Sequence, residues 1–355
     1  MKLTQQLITD LKKAGLKTAF DHLTRLLYST DASLYQIMPV GVAWPRETAE
    51  VIAAVEIAQK HHVPILPRGG GSSLAGQAIG EALILDFSRY MDNILALSPE
   101  EKTVRVQPGV LLGRLNRALR PHGLMVGPDP ASGDRATLGG MIGNNATGSH
   151  SIQYGMTHDH LLAVEAVLAD ATLGAFQAVD EEEAEALGQR PGREGTIYRA
   201  IPDILKRYKE PIAENYPKTF RNVAGYGLNI LAKQIHLNMA PLLAGSEGTL
   251  GVITSATLNL VPIPAHHHLY ILHFDEMRAA LESVPALLAT GPSAVEIMDD
   301  LLLELTRSKR AYRKLLTHIQ GRPKAILIVE YAGDDPRQLV AKEDRLKTFG
   351  TVTSL

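Results

Sequence analysis

The sequence contains no cysteine, few aromatic residues and no long hydrophobic run. The absence of cysteine excludes disulfides, thiolate-bound zinc, cysteine-bound iron–sulfur clusters and a cysteinyl cofactor bond within these 355 residues. Uncharged apolar runs stay far below the roughly 20 residues that a membrane-spanning helix needs. The first residues also lack the apolar core of a secretory signal. We therefore expect a cytoplasmic protein.

The charges are almost balanced. Lys and Arg number 36 against 38 Asp and Glu, which gives a formal net charge of -2. No overall basic field is present to attract a nucleic acid, so we expect no nucleic-acid partner. The length is sufficient for roughly two domains of ~150 residues, each with its own core.

The first glycine-rich stretch, residues 64–77, reads PILPRGGGSSLAGQ. A strand that ends in such a loop leaves backbone N–H groups free to bind phosphate. Gly71 and Gly76 have P-loop spacing, but Gln77 stands where that motif needs lysine, and the third glycine of the Rossmann pattern is missing. The stretch predicts a diphosphate held mainly by backbone, with Arg68 as the nearby cation. An ordinary glycine-rich surface turn is the alternative.

Two further glycine-rich stretches follow at residues 136–149 and 243–254, and the first of these interleaves glycine with amides and hydroxyls. Small residues of this kind let a flat ligand approach the backbone, although tight helix packing uses them as well. Residues 221–229 form a polar, glycine-hinged element of the sort found at binding sites. The first and second stretches, about 70 residues apart, could hold one long ligand between them.

Hydrophobic periodicity predicts the elements around these stretches. In chain order they are a helix in 2–14, a strand in 38–45, a helix in 48–62, strands at 63–66, 82–86 and 103–106, a helix at 111–119, a strand at 164–169, a solvated acidic loop at 180–195, a helix at 196–209 and a strand at 256–261.

The segment Pro262–Pro264 indicates a domain boundary. The three histidines that follow, His266–His268, favour a linker over a metal site, because consecutive side chains on an extended chain alternate faces. We expect a strand, helix, strand, helix, strand order between 268 and 331 and a further strand at 351–355, where the chain stops within an element.

Four motifs in this order resemble the flavoprotein family of vanillyl-alcohol oxidase and p-cresol methylhydroxylase, the PCMH-type FAD-binding family. They are 67–77, 128–130, 137–149 with Tyr154 and Gly155, and 245–251. The similarity is greatest to the branch that contains glycolate oxidase, D-lactate dehydrogenase and D-2-hydroxyglutarate dehydrogenase. Residues 221–226 resemble a longer variant that adds a C-terminal iron–sulfur domain. Ala171, where the family usually has glycine, and the acidic insertion are departures from the pattern.

The resemblance implies an α+β fold: a two-subdomain PCMH-type FAD-binding domain followed by a truncated α/β (ferredoxin-like) cap domain. The corresponding ranges are 1–27 for an N-terminal helical segment, 28–264 for the FAD-binding domain and 265–355 for the partial substrate or cap domain. FAD would lie extended between the two subdomains.

The resemblance also implies which residues bind FAD. The attachment would be noncovalent, because Gly71 and Ser72 stand where a tethering histidine would lie and cysteine is absent. The expected cofactor-binding residues are Pro67, Arg68, Gly69, Gly70, Gly71, Ser72, Ser73, Gly76, Gln77, Asp129, Pro130, Thr137, Gly139, Gly140, Gly143, Asn144, Gly148, Ser149, Tyr154, Gly155, Gly251, Val252 and Ile253.

The implied function is that of an FAD-dependent oxidoreductase. It would oxidise a D-2-hydroxy acid, such as D-lactate, D-2-hydroxyglutarate or glycolate, to the 2-oxo acid by hydride transfer to flavin N5. Electrons would pass to a quinone, a cytochrome or an iron–sulfur domain, in the cytoplasm or peripherally at the inner membrane. A flavin oxidase of another alcohol, a non-redox flavoprotein of the same fold and a flavin-binding fragment without turnover are the alternatives.

The resemblance leaves the catalytic residues open. The carboxylate-binding arginine, the metal cluster and any iron–sulfur cluster are expected beyond residue 355, and no metal ligands are assigned within the chain. Arg221, Asn222 and Tyr226 are the local candidates for the substrate side, with a structural role as the alternative. Homo-oligomerisation is also left open.

Overall fold

The computed structural model describes residues 5–355, apart from the side chain of Leu315. These residues divide into two compact units. One contains the described chain up to Ala146 together with Met156–Val261, and the other contains Thr147–Gly155 and Pro262–Leu355. The mixed helix and sheet architecture confirms the predicted α+β class. The three domain ranges given above stay predictions.

The first part of the chain alternates short strands and helices. Its elements are α1 (Gln5–Lys13), β1 (Thr18–Ala19), α2 (His22–Leu27), β2 (Gly41–Ala43), α3 (Thr48–Lys60), β3 (Ile65–Arg68), β4 (Leu83–Asp86), β5 (Ile94–Ser98), β6 (Thr103–Val106), α4 (Leu112–Leu119), β7 (Leu124–Met125), α5 (Leu138–Gly143), α6 (Ser151–Tyr154), β8 (Leu161–Val167), β9 (Leu173–Val179), α7 (Glu181–Gln189), α8 (Gly192–Arg207), α9 (Lys209–Asn215), α10 (Leu228–Leu231), β10 (Leu237–Asn238), α11 (Ala240–Leu243) and β11 (Val252–Asn259). The helix predicted in 2–14 is thus seen from Gln5, and residues 2–4 lie outside the described chain.

A four-stranded sheet, ordered β1-β2-β4-β3, carries the first glycine-rich stretch. Strands β2, β4 and β3 run parallel, and α3 connects β2 to β3 as the sequence predicts. The helix buries Val51, Ala54 and Ala58 against this sheet, because these residues share one face at helical spacing. Strand β3 continues to Arg68, two residues beyond its predicted end, so the glycines start directly at its carboxyl end.

A six-stranded antiparallel sheet, ordered β10-β9-β8-β11-β6-β5, forms the rest of the first unit's core. Strand β11 is central and pairs Ala256 with both Val106 and Val164. Helix α5 packs into the same hydrophobic core. The second and third glycine-rich stretches are therefore attached to this sheet through α5 and the start of β11.

The acidic segment 180–195 is not a loop, so that prediction is wrong. It forms α7 and the start of α8, because Asp180 caps α7 by accepting a hydrogen bond from the Glu183 N–H at 2.8 Å. Acidic residues in the first turn also suit the positive end of the helix dipole. Leu187 anchors the helix in the core.

The second unit contains an antiparallel sheet ordered β14-β15-β13-β16. The division between the units falls within β12 (Val261–Pro262). The elements that follow are β13 (His266–Phe274), α12 (Met277–Leu288), β14 (Ala294–Asp299), α13 (Asp300–Ser308), β15 (Ala325–Gly333), α14 (Pro336–Val340), α15 (Glu343–Leu346) and β16 (Thr351–Ser354). The predicted alternation of strands and helices is confirmed.

The linker predicted at His266–His268 is wrong. These residues begin β13 and pair with Tyr331–Gly333 of β15, because the long β15 strand extends the ladder to that point. The two neighbouring side chains contact different groups: His267 Nδ1 lies 2.8 Å from Glu330 Oε1, and His268 Nε2 lies 2.7 Å from Ser354 Oγ.

Across residues 5–355 no helix combines the length and the apolar character needed to cross a membrane.

Candidate functional site

One cavity in the first unit is lined by all three glycine-rich stretches. It contains about 1010 Å³ of space not filled by protein atoms, including its open mouth. The lining residues are Pro67, Arg68, Gly69, Gly70, Gly71, Ser72, Ser73, Gln77, Ala78, Phe87, Pro108, Pro130, Ser132, Ala136, Thr137, Gly139, Gly140, Met141, Gly143, Asn144, Ala146, Ser246, Glu247, Gly248, Gly251 and Ile253. The structure therefore brings together residues that are up to 186 positions apart in the sequence, from Pro67 to Ile253.

The loop after β3 presents unused backbone donors at this cavity. Within the described chain, the N–H groups of residues 69–73 donate no hydrogen bond. The side chain of Ser73 is fixed by Asp31, because its hydroxyl donates a hydrogen bond to Asp31 Oδ2 at 2.8 Å. A row of free N–H groups in a glycine loop is a suitable cradle for a diphosphate.

Close packing fixes that loop against the second stretch. A Cβ atom at Gly70 would lie 2.2 Å from the Arg135 carbonyl oxygen, and one at Gly69 would lie 1.9 Å from Thr137 Oγ1. Only glycine permits these approaches. The glycines of the first stretch are thus needed for the fold of the cavity wall.

Arg68 serves as a brace for the loop. Its Nη1 donates to the carbonyls of Tyr28 and Ala78 at 3.2 and 2.9 Å, and its Nη2 donates to that of Thr30 at 2.9 Å. The guanidinium also lies 5.2 Å from the centre of the Tyr28 ring. Burial lowers the pKa of Arg68, without removing its charge. The side chain therefore ties residues 28–30 to the loop.

Asp86, at the end of β4, also holds the segment of residues 28–30 in place, through Tyr28. Its buried carboxylate accepts the Tyr28 hydroxyl at 2.5 Å and the Trp44 indole N–H at 3.2 Å. Ser88 supplies two more donors to the other carboxylate oxygen. Burial, together with the hydrogen bond to Asp86, raises the pKa of Tyr28 to about 12. The Tyr28 hydroxyl therefore remains a donor across the ordinary pH range.

The third stretch is joined to the carboxyl end of α5 by two backbone hydrogen bonds. The N–H groups of Gly245 and Glu247 donate to the carbonyls of Ile142 and Gly143, each at 2.9 Å. At the start of α5, Thr137 Oγ1 accepts from the Gly140 N–H at 3.3 Å. These bonds fix the far wall of the cavity.

Gly143 differs from the other glycines of the wall. A Cβ atom there would meet no protein atom within 4 Å, although Gly143 lines the cavity. A side chain would enter open space and leave the protein packing intact. Free N–H groups on one wall and a side-chain-free surface on another fit an extended nucleotide cofactor such as FAD.

Most of the predicted cofactor-binding residues line this cavity. Exceptions within the first unit are Gly76, Asp129 and Val252. Four others belong to the second unit: Gly148, Ser149, Tyr154 and Gly155.

Sequence reasoning missed part of the lining, namely Ala78, Phe87, Pro108, Ser132, Ala136, Met141, Ala146, Ser246, Glu247 and Gly248. Ser246–Gly248 belong to the recognised third stretch, so the motif could have indicated them. Phe87 and Pro108 each follow a strand and carry no sequence signal of a binding role.

The candidate substrate-side residues lie outside the cavity lining. Asn222 closes a local turn, since its Oδ1 accepts from the Ala224 N–H at 2.9 Å. Tyr226 contacts the third stretch, with its hydroxyl 3.0 Å from Thr249 Oγ1. The Arg221 carbonyl accepts from the Thr219 hydroxyl at 3.2 Å. A catalytic role for these residues stays a prediction.

The second unit contains a His–Glu–His cluster. Glu330 Oε1 lies 3.1 Å from His150 Nε2 and 2.8 Å from His267 Nδ1. Burial alone would raise the pKa of Glu330, but the two histidines lower it to about 2. Among residues 5–355, no group of three or more His, Asp or Glu side chains has the arrangement of a metal site.

Comparison with known families matches both parts of the chain. Residues 39–175 match the family described as "FAD binding domain", and residues 263–351 match "FAD linked oxidases, C-terminal domain". The two matches follow one another in the order that the resemblance to PCMH-type FAD-binding flavoproteins implies. This confirms the resemblance inferred from the four motifs.

Curated relatives fall in the predicted branch. The chain is 35% identical over 346 residues to D-2-hydroxyglutarate dehydrogenase of Escherichia coli, which covers 94% of this chain and 34% of that protein. It is 32% identical over 314 residues to glycolate oxidase subunit GlcD of Bacillus subtilis, covering 87% of this chain and 55% of that protein. The chain thus spans about a third of the length of the dehydrogenase relative.

Solved structures share the fold. An alkyldihydroxyacetonephosphate synthase superposes with a TM-score of 0.69 at 20% identity, covering 99% of this chain and 60% of the other. A chitooligosaccharide oxidase superposes with a TM-score of 0.65 at 16% identity, covering 99% and 60%. At these identities the superpositions establish the fold alone.

Proposed function

We propose that this chain functions in the FAD-dependent oxidation of a D-2-hydroxy acid to the corresponding 2-oxo acid. The observation that carries the proposal is the 35% identity to a D-2-hydroxyglutarate dehydrogenase over 94% of the chain. The similarity to a glycolate oxidase protein supports the same substrate class. D-2-Hydroxyglutarate is the first candidate substrate, followed by D-lactate and glycolate.

Each wall of the cavity has its own part in holding FAD. The free backbone N–H groups of residues 69–73 would bind the diphosphate, and Arg68 would keep their loop in shape. Residues 137–144 and 246–253 would line the remainder of the cofactor. FAD, when bound, supplies an acceptor for the hydride on C2 of the acid.

The attachment of FAD would be noncovalent. The described residues that line the cavity include neither histidine nor cysteine, the side chains that tether flavin in this family. The lining charges are one arginine and one glutamate, so backbone dipoles would carry most of the diphosphate binding. Release of intact FAD by acid is the expected consequence.

The electron acceptor and the location stay predictions. A quinone, a cytochrome or an iron–sulfur domain would reoxidise the flavin, in the cytoplasm or peripherally at the inner membrane. A cysteine-bound iron–sulfur cluster would need residues other than these 355, which contain no cysteine.

Anaerobic titration of the FAD-loaded protein tests the activity. D-2-Hydroxyglutarate, D-lactate and glycolate are added separately, and the visible flavin absorbance is followed, with the L enantiomers of the first two as controls. Bleaching by one D acid, matched by formation of its 2-oxo acid, is the expected result. Failure of every acid to bleach a fully loaded flavin would contradict the proposed activity. Rapid recovery of the absorbance in air would instead identify an oxidase.

A further inference from the structure

The segment from 305 to 329 is unusually basic for a chain with a net charge of -2. It contains no aspartate or glutamate. Its seven cations are Arg307, Lys309, Arg310, Arg313, Lys314, Arg322 and Lys324. Two of them are paired with acidic residues that precede the segment: Arg307 with Glu304 and Lys324 with Asp300, each at 2.7 Å. The others have no carboxylate partner within the described chain.

Three of the arginines line one groove in the second unit. The groove is open to solvent and contains about 900 Å³ of space not filled by protein atoms, including its open mouth. It is lined by Glu304, Arg307, Ser308, Arg313, Leu316, Thr317 and Arg322. The lining carries three positive charges against one negative charge, so the groove favours an anion.

The walls of the groove are anchored in a hydrophobic cluster. Helix α13 buries Leu303, which packs in one cluster with Leu316 and Ile319 of the opposite wall. The helix begins at Asp299, whose carboxylate accepts from the Leu302 N–H at 2.8 Å. The groove is therefore a packed feature of the fold.

The arginines divide into one positioned side chain and two with free donors. Arg307 is held by Glu304 and by the Gly321 carbonyl, which lies 3.0 Å from Nη2. Arg313 uses only Nε, which donates to the Arg307 carbonyl at 3.2 Å. Arg322 has no hydrogen bond or ion pair among the described residues. Two guanidinium groups thus retain the paired N–H donors that bind oxyanions bidentately.

We propose that this groove is a binding site for a small polyanion, a phosphate ester or a polycarboxylate, contacted by Arg313 and Arg322. Arg307 balances the charge of Glu304 and so permits an anion to approach that wall. The lining is entirely from the second unit, whereas the glycine-rich cavity is entirely from the first. The proposal therefore does not depend on the FAD assignment.

Calorimetric titration of the FAD-loaded protein at low salt tests the site. The probes are inorganic pyrophosphate and propane-1,2,3-tricarboxylate, which separate phosphate from carboxylate recognition. The variants Arg313→Gln and Arg322→Gln should each weaken binding of the preferred probe about tenfold, since each removes a charge-assisted contact. Thermal melting confirms that the variants are folded.

Arg310→Gln is the matched control. It removes the same charge from the same exposed segment, but Arg310 does not line the groove. Binding in this variant should change less than about twofold at moderate salt, because distant surface charges are screened. Equal weakening by all three substitutions would indicate a diffuse charge effect and overturn the site, as would the absence of binding of both probes to the unsubstituted protein.

Discussion

At Gly143 a new side chain would enter open space, whereas at Gly70 it would meet the Arg135 backbone. Gly143→Ala should therefore keep the fold and bind FAD about tenfold more weakly, through steric overlap with the cofactor. Gly70→Ala should reduce both stability and FAD content, so it does not separate the two effects. FAD affinity from fluorescence quenching, measured beside the thermal unfolding midpoint, provides the check.

The control for Gly143 is Gly333→Ala in β15. A Cβ atom there has its nearest neighbour at 3.5 Å, an ordinary contact with Leu339, and the site lies outside the cavity lining. FAD affinity should be unchanged in this variant. Unchanged affinity in Gly143→Ala as well would count against the assignment of the cavity.

Substitutions of Arg68 distinguish two ways in which it could support diphosphate binding: through its positive charge, or through the hydrogen bonds by which it holds the loop in shape. Arg68→Lys keeps the cation but loses the fork that holds three carbonyls, which a lysine cannot reproduce. We expect this variant to lose most of the FAD affinity that Arg68→Met loses. Affinity near that of the unsubstituted protein in Arg68→Lys alone would show that Arg68 binds the phosphates directly as a charge.

Ala171 occupies a position at which the family usually has glycine. It adopts φ +61° in the turn between β8 and β9, a left-handed conformation in which glycine is favoured. Ala171→Gly should raise the free energy of unfolding by up to about 1 kcal/mol. Ala289→Gly, at φ -66°, should give no such gain in the same urea titration. A loss of stability in Ala171→Gly would mean that the packing of its methyl group outweighs the strain.

At the scale of elements, Glu330 joins β15 to His267 of β13 and to His150 of the segment Thr147–Gly155. Its pKa falls from the ordinary value of 4.5 to about 2 in the folded protein. The ionised group therefore contributes stability above about pH 4.5, and this contribution is lost as the pH falls towards 2. The free energy difference between the unsubstituted protein and Glu330→Gln should be large at pH 6 and shrink across that window.

Urea unfolding from pH 6 to pH 2.5 measures this difference. Glu282→Gln serves as the control, because Glu282 pairs with Arg278 on the exposed surface of α12 and such pairs contribute little. A pH-independent difference for Glu330→Gln would contradict the linkage.

Predictability from the sequence differed among the elements. The strand–helix–strand leading into the first glycine loop was predictable, because α3 has one apolar stripe and the glycines follow an apolar strand. Helix α5 was not, since LGGMIG has poor helix propensity; it forms because Leu138, Met141 and Ile142 lie at helical spacing and are buried. Tertiary packing decided that element.

At the candidate site, the glycine-rich motifs were predictable from the sequence. The side-chain contacts that hold the first glycine-rich loop in place were not. The roles of Tyr28, Trp44 and Asp86 depend on side-chain contacts between residues up to 58 positions apart. No local pattern encodes such contacts. The three carbonyls that engage Arg68 likewise come from segments whose proximity only the fold creates.

At the scale of the whole molecule, the central claim is that the cavity of the first unit binds FAD noncovalently. The visible spectrum of the purified protein, before and after acid precipitation, tests it most directly. The expected result is about one FAD per chain, all of it in the supernatant after precipitation and identical to authentic FAD by chromatography. Flavin that remains in the pellet would contradict noncovalent attachment, and a folded, colourless protein that cannot be reconstituted with FAD would contradict the assignment of the cavity.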